Sequence, residues 1–445
     1  QIRKGQYDLG LESHREALRI YQQLEAPGLL VEALHDMGRL HLALGDPSSA
    51  EEYFQQAIDT AREFDAAREI AINILAIGDL QFQRERYVEA AALYKQALQQ
   101  SRKTGATGIE AESQIRLSHV YREQELFDEA IRQAEYAGKI ASANNAVTLQ
   151  VAVNYSLGEL ARLQGDLDKA LGFFSTAQTL SVEIDPGLLW QIHYGRAQAY
   201  AQAGNKTAAV TELERSVRII EGVRDRLREN RFRAGYLEDK FKVYIELVRM
   251  QMDLGQIRRA FSTAERLRAQ SFRSQLEKGD PLDRTELERQ TEIAFREQIR
   301  QLQGVLEEEL GKSTPQQRQL AVAAFSSELQ QAEREYQAFL DDIGKRTGDT
   351  RSMDVPEPAV IQAQLKPGEA LLEYVTANDA VMIFFMQRDR LVAVTSPISR
   401  SSLENKVNLV RELIKRVDSD RWIKPAASLS ATLINQLYEQ GLVAN

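Results

Sequence analysis

The sequence predicts a mainly α protein built as an α-solenoid, and three observations carry that prediction. Small residues recur every 40 positions: Ala17, Ala57, Ala97, Ala137 and Ala177 form one series, and Gly10, Ala50, Ala90, Ala130 and Ala170 a second. A third series is Gly38, Gly78, Ser118 and Gly158. Within a period, Ala50/Phe54/Ala57, Ala90/Tyr94/Ala97 and Ala170/Phe174/Ala177 are stepped by three- and four-residue intervals, so each triad lies on one helical face. Turn dipeptides, Gly45-Asp46, Gly165-Asp166 and Gly204-Asn205, then separate two helices in a copy. A fixed period of this length carrying a helix–turn–helix unit marks a stack of helical hairpins.

The elements follow in order. The chain opens inside a repeat, with Tyr7, Gly10 and Ala17 at second-helix positions, and has neither an initiator Met nor a signal-peptide pattern. First helices are expected around Val31–Leu44, Ile70–Arg84, Glu110–Gln124, Val151–Gln164 and Leu188–Ala203. Gly at each turn closes the first helix and Asp or Asn caps the second. Ile219–Glu246 reads as one long helical stretch. Phe241–Leu276 makes another hairpin, with Gly255 at its turn, Ala260 and Ala264 in its second helix and Gly279-Asp280-Pro281 as its stop. Residues 1–279 are thus one solenoid.

Residues 282–350 read as a long-helix spacer split at Ser313-Thr314-Pro315. Phe295, Ile299, Leu302, Leu306 and Leu310 lie on one helix, and Leu320, Phe325, Leu329, Tyr336 and Leu340 on the other. After Pro356-Glu357-Pro358 the texture changes. Ala370–Val375, Ala380–Met386 and Arg390–Val394 are short, apolar and bounded by turn signals, so they read as strands. Helices around Ser402–Arg416 and Leu429–Tyr438 follow. Residues 356–445 are the start of an α/β domain, too short to complete one.

Composition narrows the function. Of 445 residues, 43% are hydrophobic and 27% charged, with a net charge of -9. Lys and Arg are interleaved with Glu and Asp, which leaves no concentrated basic face for nucleic acid. No run approaches the ~18 apolar residues of a membrane span. The absence of Cys removes disulfides, thiolate metal sites and a cysteine nucleophile from these residues. No cofactor or metal is expected, and the chain reads as cytoplasmic.

The repeat pattern resembles the tetratricopeptide repeat family over residues 1 to 277. That family's first helix carries a Leu-Gly pair, here Met37-Gly38, Ile77-Gly78, Leu117-Ser118 and Leu157-Gly158, and its second helix the Ala–aromatic–Ala triad. The period is longer than the family's usual one. A second resemblance covers residues 241–445. The FSTAERLRAQSF helix, the spacer and QAQLKPGEALLEYV followed by two hydrophobic strands are similar in order to bacterial proteins with a CHAT domain, a caspase-like cysteine peptidase domain. Leu371-Leu372-Glu373-Tyr374, Val381–Phe385 and Leu437-Tyr438 match its early part. The resemblance implies a sensor and scaffold half of a regulated peptidase, with the catalytic His and Cys outside these residues. The rival reading is a scaffold or adaptor without enzymatic activity.

Several motifs have plainer readings. Gly311-Lys312-Ser313 lacks the earlier Gly of a phosphate loop, since Leu306 stands there. Each His is isolated from metal-ligand spacing. Glu307-Glu308-Glu309 is a solvated helix face, and Glu373-Tyr374 a structural strand pair. The candidate site is the concave groove that first helices line in the tetratricopeptide family. Its candidate residues are His35, Arg39, Asp79, His119, Arg122, Tyr155, Glu159, Arg162, Tyr194 and Gln198, and they suit a protein or peptide ligand because aromatics and Arg dominate binding hot spots.

Overall fold

The structure is a computed structural model that describes residues 7–181, 186–225, 227, 236–237, 239–278, 355–415 and 420–442, with scattered positions between 287 and 339. Helices α1 (Tyr7–Gln23), α2 (Pro27–Ala43), α3 (Pro47–Arg62), α4 (Ala67–Gln83), α5 (Tyr87–Thr104) and α6 (Thr107–Glu123) alternate as first and second members of hairpins. So do α7 (Phe127–Ala143), α8 (Val147–Leu163), α9 (Leu167–Leu180), α10 (Pro186–Gln202) and α11 (Lys206–Arg224). The first helices begin two to four residues before the positions read from the sequence, and in α2 and α10 the first position is a Pro, Pro27 and Pro186, whose fixed φ suits it.

The small-against-large contact is literal. A Cβ added to Gly38 would meet the Phe54 ring at 2.4 Å, one on Gly78 the Tyr94 ring at 2.5 Å, and one on Gly158 the Phe174 ring at 2.7 Å. Phe54, Tyr94 and Phe174 are fully buried, as are the Ala residues flanking them. The third hairpin solves the same space in reverse: Ser118 replaces the Gly, and Ala134 replaces the aromatic.

Every described turn of the solenoid passes through the left-handed region. Gly45, Gly105, Gly165 and Gly204 do so at no steric cost. Glu25, Asp65, Glu85, Glu125 and Asn145 occupy the equivalent places with φ between 46° and 60°. The geometry is set by the 6→1 backbone bonds that close each helix, such as Asp46 N–H to His41 O at 2.9 Å and Arg86 N–H to Gln81 O at 2.9 Å. The turn repeats even where Gly does not.

The expected single helix over 219–246 is not formed. α11 ends at Arg224 and Asp225 turns: the Leu227 N–H closes a three-residue turn on Arg224 O at 2.9 Å, and Leu227 packs into the same core as Val217, Ile220 and Val223. A new helix, α12 (Phe241–Asp253), pairs with α13 (Ile257–Lys278) across Gly255. Residues 226, 228–235 and 238 lie outside the described residues, as do Gly279-Asp280-Pro281 and the spacer's split at 313–315. Within the spacer, Phe295 meets Tyr336 and Phe339 at ring distances of 5.8 and 5.5 Å. Leu306, Leu310, Leu320 and Leu340 are outside the described residues.

A short helix the sequence reading missed, α14 (Pro358–Gln364), precedes the sheet. Strands β1 (Leu371–Thr376), β2 (Val381–Met386) and β3 (Leu391–Ser396) form an antiparallel meander in that order. Helices α15 (Arg400–Ile414) and α16 (Ile423–Glu439) follow. β2 is buried along its whole length because both faces are covered. Val375, Met382, Phe384 and Met386 pack on Val248, Ala260, Phe261 and Ala264 of α12 and α13. Val381, Ile383, Phe385 and Val394 pack on Leu437 of α16. The Phe261 and Phe384 rings meet edge to face at 5.6 Å.

A buried acid pair sits in the first of these interfaces. Glu265 on α13 and Glu373 on β1 are 6% and 5% exposed, and Arg268 lies 2.6 Å from Glu265 and 4.0 Å from Glu373. Burial, with the Glu265 carboxylate beside it, raises the Glu373 carboxyl well above the ordinary range. Glu373 therefore holds a proton inside the contact that joins the sheet to the last hairpin.

Candidate functional site

The first helices α2, α4, α6, α8 and α10 stand side by side and touch in sequence. Polar side chains stitch α2 to α4, α4 to α6 and α6 to α8. His35 Nδ1 lies 3.0 Å from Asn73 Oδ1, joining α2 to α4. Arg116 Nε donates to both oxygens of Asp79 at 2.8 and 2.9 Å, joining α4 to α6. The Ser118 and Ser156 hydroxyls are 3.3 Å apart, joining α6 to α8. Tyr194 Oη donates to Glu246 at 2.9 Å, carrying the ladder from α10 to α12.

The candidate residues fall on this row and divide into three kinds. Asp79 is committed to the fold: besides Arg116 it accepts the Tyr94 hydroxyl at 2.8 Å, and Arg116 also donates to Glu112 at 3.2 Å. Burial works against the Arg116 charge, but Asp79 and Glu112 outweigh it and raise its pKa. Glu159 is buried and bonded to Arg162 at 2.9 Å, so that pair too is internal. Burial opposes the Arg162 charge and the Glu159 bond more than restores it.

The second kind is neutral and part-buried. Burial lowers His35, against the Asn73 bond. Burial, with Arg122 and Arg116 adding their charges, pushes His119 down to about 3, and its Nε2 makes no hydrogen bond. Tyr155, whose ring is 6.1 Å from Phe174, and Tyr194 both have phenol pKa values raised, chiefly by burial. These four therefore offer rings and neutral polar atoms rather than charge at neutral pH. The third kind carries charge at the edge of the row: Arg39 is exposed and, among the described residues, has no ion pair, while Arg122 is part-buried and bonded to its neighbour Glu123. Gln198 lies part-buried on α10.

The sequence reading missed Asn73, Glu112 and Arg116. A signal for them exists. The rungs from α2 to α8 span 37 or 38 residues, two or three short of one period, because a side chain on one first helix meets the next helix about one turn earlier. Pairing polar residues at that offset would have found them.

Residues 2–63 and 35–105 match sequence models of the tetratricopeptide repeat, so this part of the chain carries tetratricopeptide repeats. Neither match reaches the C-terminal strands. Among solved structures, the chain is similar to BtubC from P. vanneervenii, at 22% identity over 49% of this chain and 90% of that one, with a TM-score of 0.38. It is similar to the Rap protein complexed with Competence and Sporulation Factor, at 11% identity over 75% of this chain and 99% of that one, with a TM-score of 0.44. It is also similar to YrrB, described as a TPR protein with an unusual peptide-binding site, at 19% identity over 42% of this chain and 84% of that one, with a TM-score of 0.26. No curated protein matches the chain in sequence. Among the described residues, no cluster of three or more His, Asp or Glu side chains could hold a metal ion, and no helix is long and apolar enough to cross a membrane.

Proposed function

We propose that the protein is a binding scaffold whose first-helix row receives a peptide or an extended segment of a partner protein. The observation that supports this reading most is the character of the row. Part-buried rings stand on four of the five first helices (His35, His119, Tyr155, Tyr194) and guanidinium groups on α2 and α6 (Arg39, Arg122), on a frame tied together by its own ion pairs. Rings and guanidinium groups on a frame that needs little ordering make affinity cheap in entropy. Arg39 and Arg122 would hold acidic groups of the ligand, and Tyr155 and Tyr194 its apolar side chains. Substituting Arg39 and Arg122 together should weaken binding of a selected peptide ligand by about tenfold or more in a calorimetric titration. Undiminished affinity would count against the reading.

A finer reading attaches to the sheet. In it, the sheet layer is the opening part of a CHAT-like domain, and ligand in the groove shifts that part through α12 and α13. Its supporting observation is that the Leu371-Leu372-Glu373-Tyr374 strand packs its inward side on α13. Any peptidase chemistry would need a thiolate, which this sequence does not contain. Hydrogen exchange of β1–β3 with and without a groove ligand tests the coupling; unchanged exchange there leaves the plain scaffold.

A further inference from the structure

A cleft of about 470 Å³ lies between α11, α12, α13 and the start of α14, where the last hairpin meets the sheet layer. Its walls carry four guanidinium groups, from Arg218, Arg258, Arg259 and Arg266, against two carboxylates, Glu214 and Glu357. Two of the four are already neutralised: Arg259 donates to Glu214 at 2.7 Å and Arg266 pairs with Glu221. The other two are not. Arg218 donates to the Glu214 backbone carbonyl at 3.3 Å, and Arg258 to the neutral Gln362 amide at 3.1 Å. Among the described residues neither has a carboxylate within ion-pair distance.

The placement of Arg258 runs against local preference. It and Arg259 occupy the first turn of a 22-residue helix that has no acidic residue there, where the helix dipole disfavours cations. Such a violation of a local rule is expected where a ligand supplies the missing charge. The floor is apolar, from Val217 and Leu247, and no aromatic ring lines the cleft to stack a base. The volume is within the range of small-molecule sites.

We propose that this cleft binds a small polyanion of the diphosphate class, held by Arg218 and Arg258. Guanidinium forks match phosphate oxygens in geometry as well as charge. Bound there, the anion would also tie the solenoid to the sheet, because Gln362, which accepts from Arg258, donates through Nε2 to the Gln387 carbonyl beyond β2 at 2.9 Å. The inference is independent of the groove reading, since none of the groove candidates lines this cleft.

The test is a calorimetric titration of inorganic pyrophosphate into the full chain, with ionic strength matched by chloride. Saturable binding is expected, weakened about tenfold or more in Arg218→Gln and in Arg258→Gln. Arg218→Lys, which keeps the charge and loses the fork, should fall between. The Arg39/Arg122 groove variant should bind pyrophosphate unchanged, which separates this site from the other. Arg218 is exposed, so its variants decide the matter even where the Arg258 variant folds poorly. No saturable heat in the wild-type chain, or equal affinity in Arg218→Gln, would overturn the proposal.

Discussion

The repeat hairpins and the C-terminal sheet are stabilised in opposite ways. In the hairpins, the buried contacts come from nearby residues: Gly38 meets Phe54, Gly78 meets Tyr94 and Gly158 meets Phe174, each within one hairpin. In the sheet, the decisive contact spans more than a hundred residues, from Phe261 to Phe384, and it encloses two carboxyl groups. Local contacts repeat and tolerate exchange, as the Ser118–Ala134 copy shows. The long-range contact occurs once, so its loss has no neighbour to compensate for it.

The largest effects should come from cutting each kind of contact. Phe174→Ala should cost about 3–5 kcal/mol in urea unfolding, because the ring fills the space beside both Gly158 and Gly195. Phe384→Ala should instead strip hydrogen-exchange protection from β1–β3 while leaving α2–α9 protected, since a solenoid's hairpins depend chiefly on their neighbours. Equal loss of protection in both regions would erase the distinction.

Next in size is overpacking. Gly158→Ser alone should destabilise by about 1–3 kcal/mol. Combined with Phe174→Ala it should cost less than the sum of the two, because the pair then copies Ser118 and Ala134. A double-mutant cycle checks this, and strict additivity would contradict it.

The acid pair gives the sheet a pH dependence. Glu373 holds its proton in the folded chain above the value of 4.5 at which a free carboxyl releases it. The folded state therefore binds more protons than the unfolded state over that interval. Its stabilising contribution is complete below about 4.5 and is lost as pH climbs toward the raised value. Glu373→Gln should flatten the decline of the urea midpoint with rising pH, and an unchanged slope would place the proton elsewhere.

The smallest effect concerns the turns. Glu85 and Glu125 occupy the left-handed region that Gly45 and Gly165 fill without strain. Glu85→Gly and Glu125→Gly should each stabilise by about 0.5–1 kcal/mol, read as a higher melting temperature.

The same contrast explains what could be read from residues alone. The hairpins were legible because a 40-residue period makes each residue type recur at a position of fixed burial, so the Gly38–Phe54 contact recurs three more times, twice in altered form. The strands were legible from their short apolar, β-branched or aromatic runs and their turn signals. Which face of the sheet meets α13 was not, because Phe261 and Phe384 carry no mark of each other. Nor was the end of α11, because Leu227 keeps the helical spacing of Ile220 and Val223 and sits in the same core although the helix has ended. Of the groove candidates, Asp79, Glu159 and Arg162 stand where the reading placed them, but their partners Tyr94, Arg116 and each other occupy their charges. Periodicity ranks positions within one helix and is silent about the offset at which neighbouring helices meet.

The central functional claim is that the first-helix row is the binding surface. Its most direct test is to select peptides against the full chain from a random display library and map the best one by hydrogen exchange. The account predicts protection along α2, α4, α6, α8 and α10, and its loss in the Arg39/Arg122 variant. Protection confined to the second helices α3, α5 and α7, or to the sheet, with affinity unchanged in that variant, would contradict it.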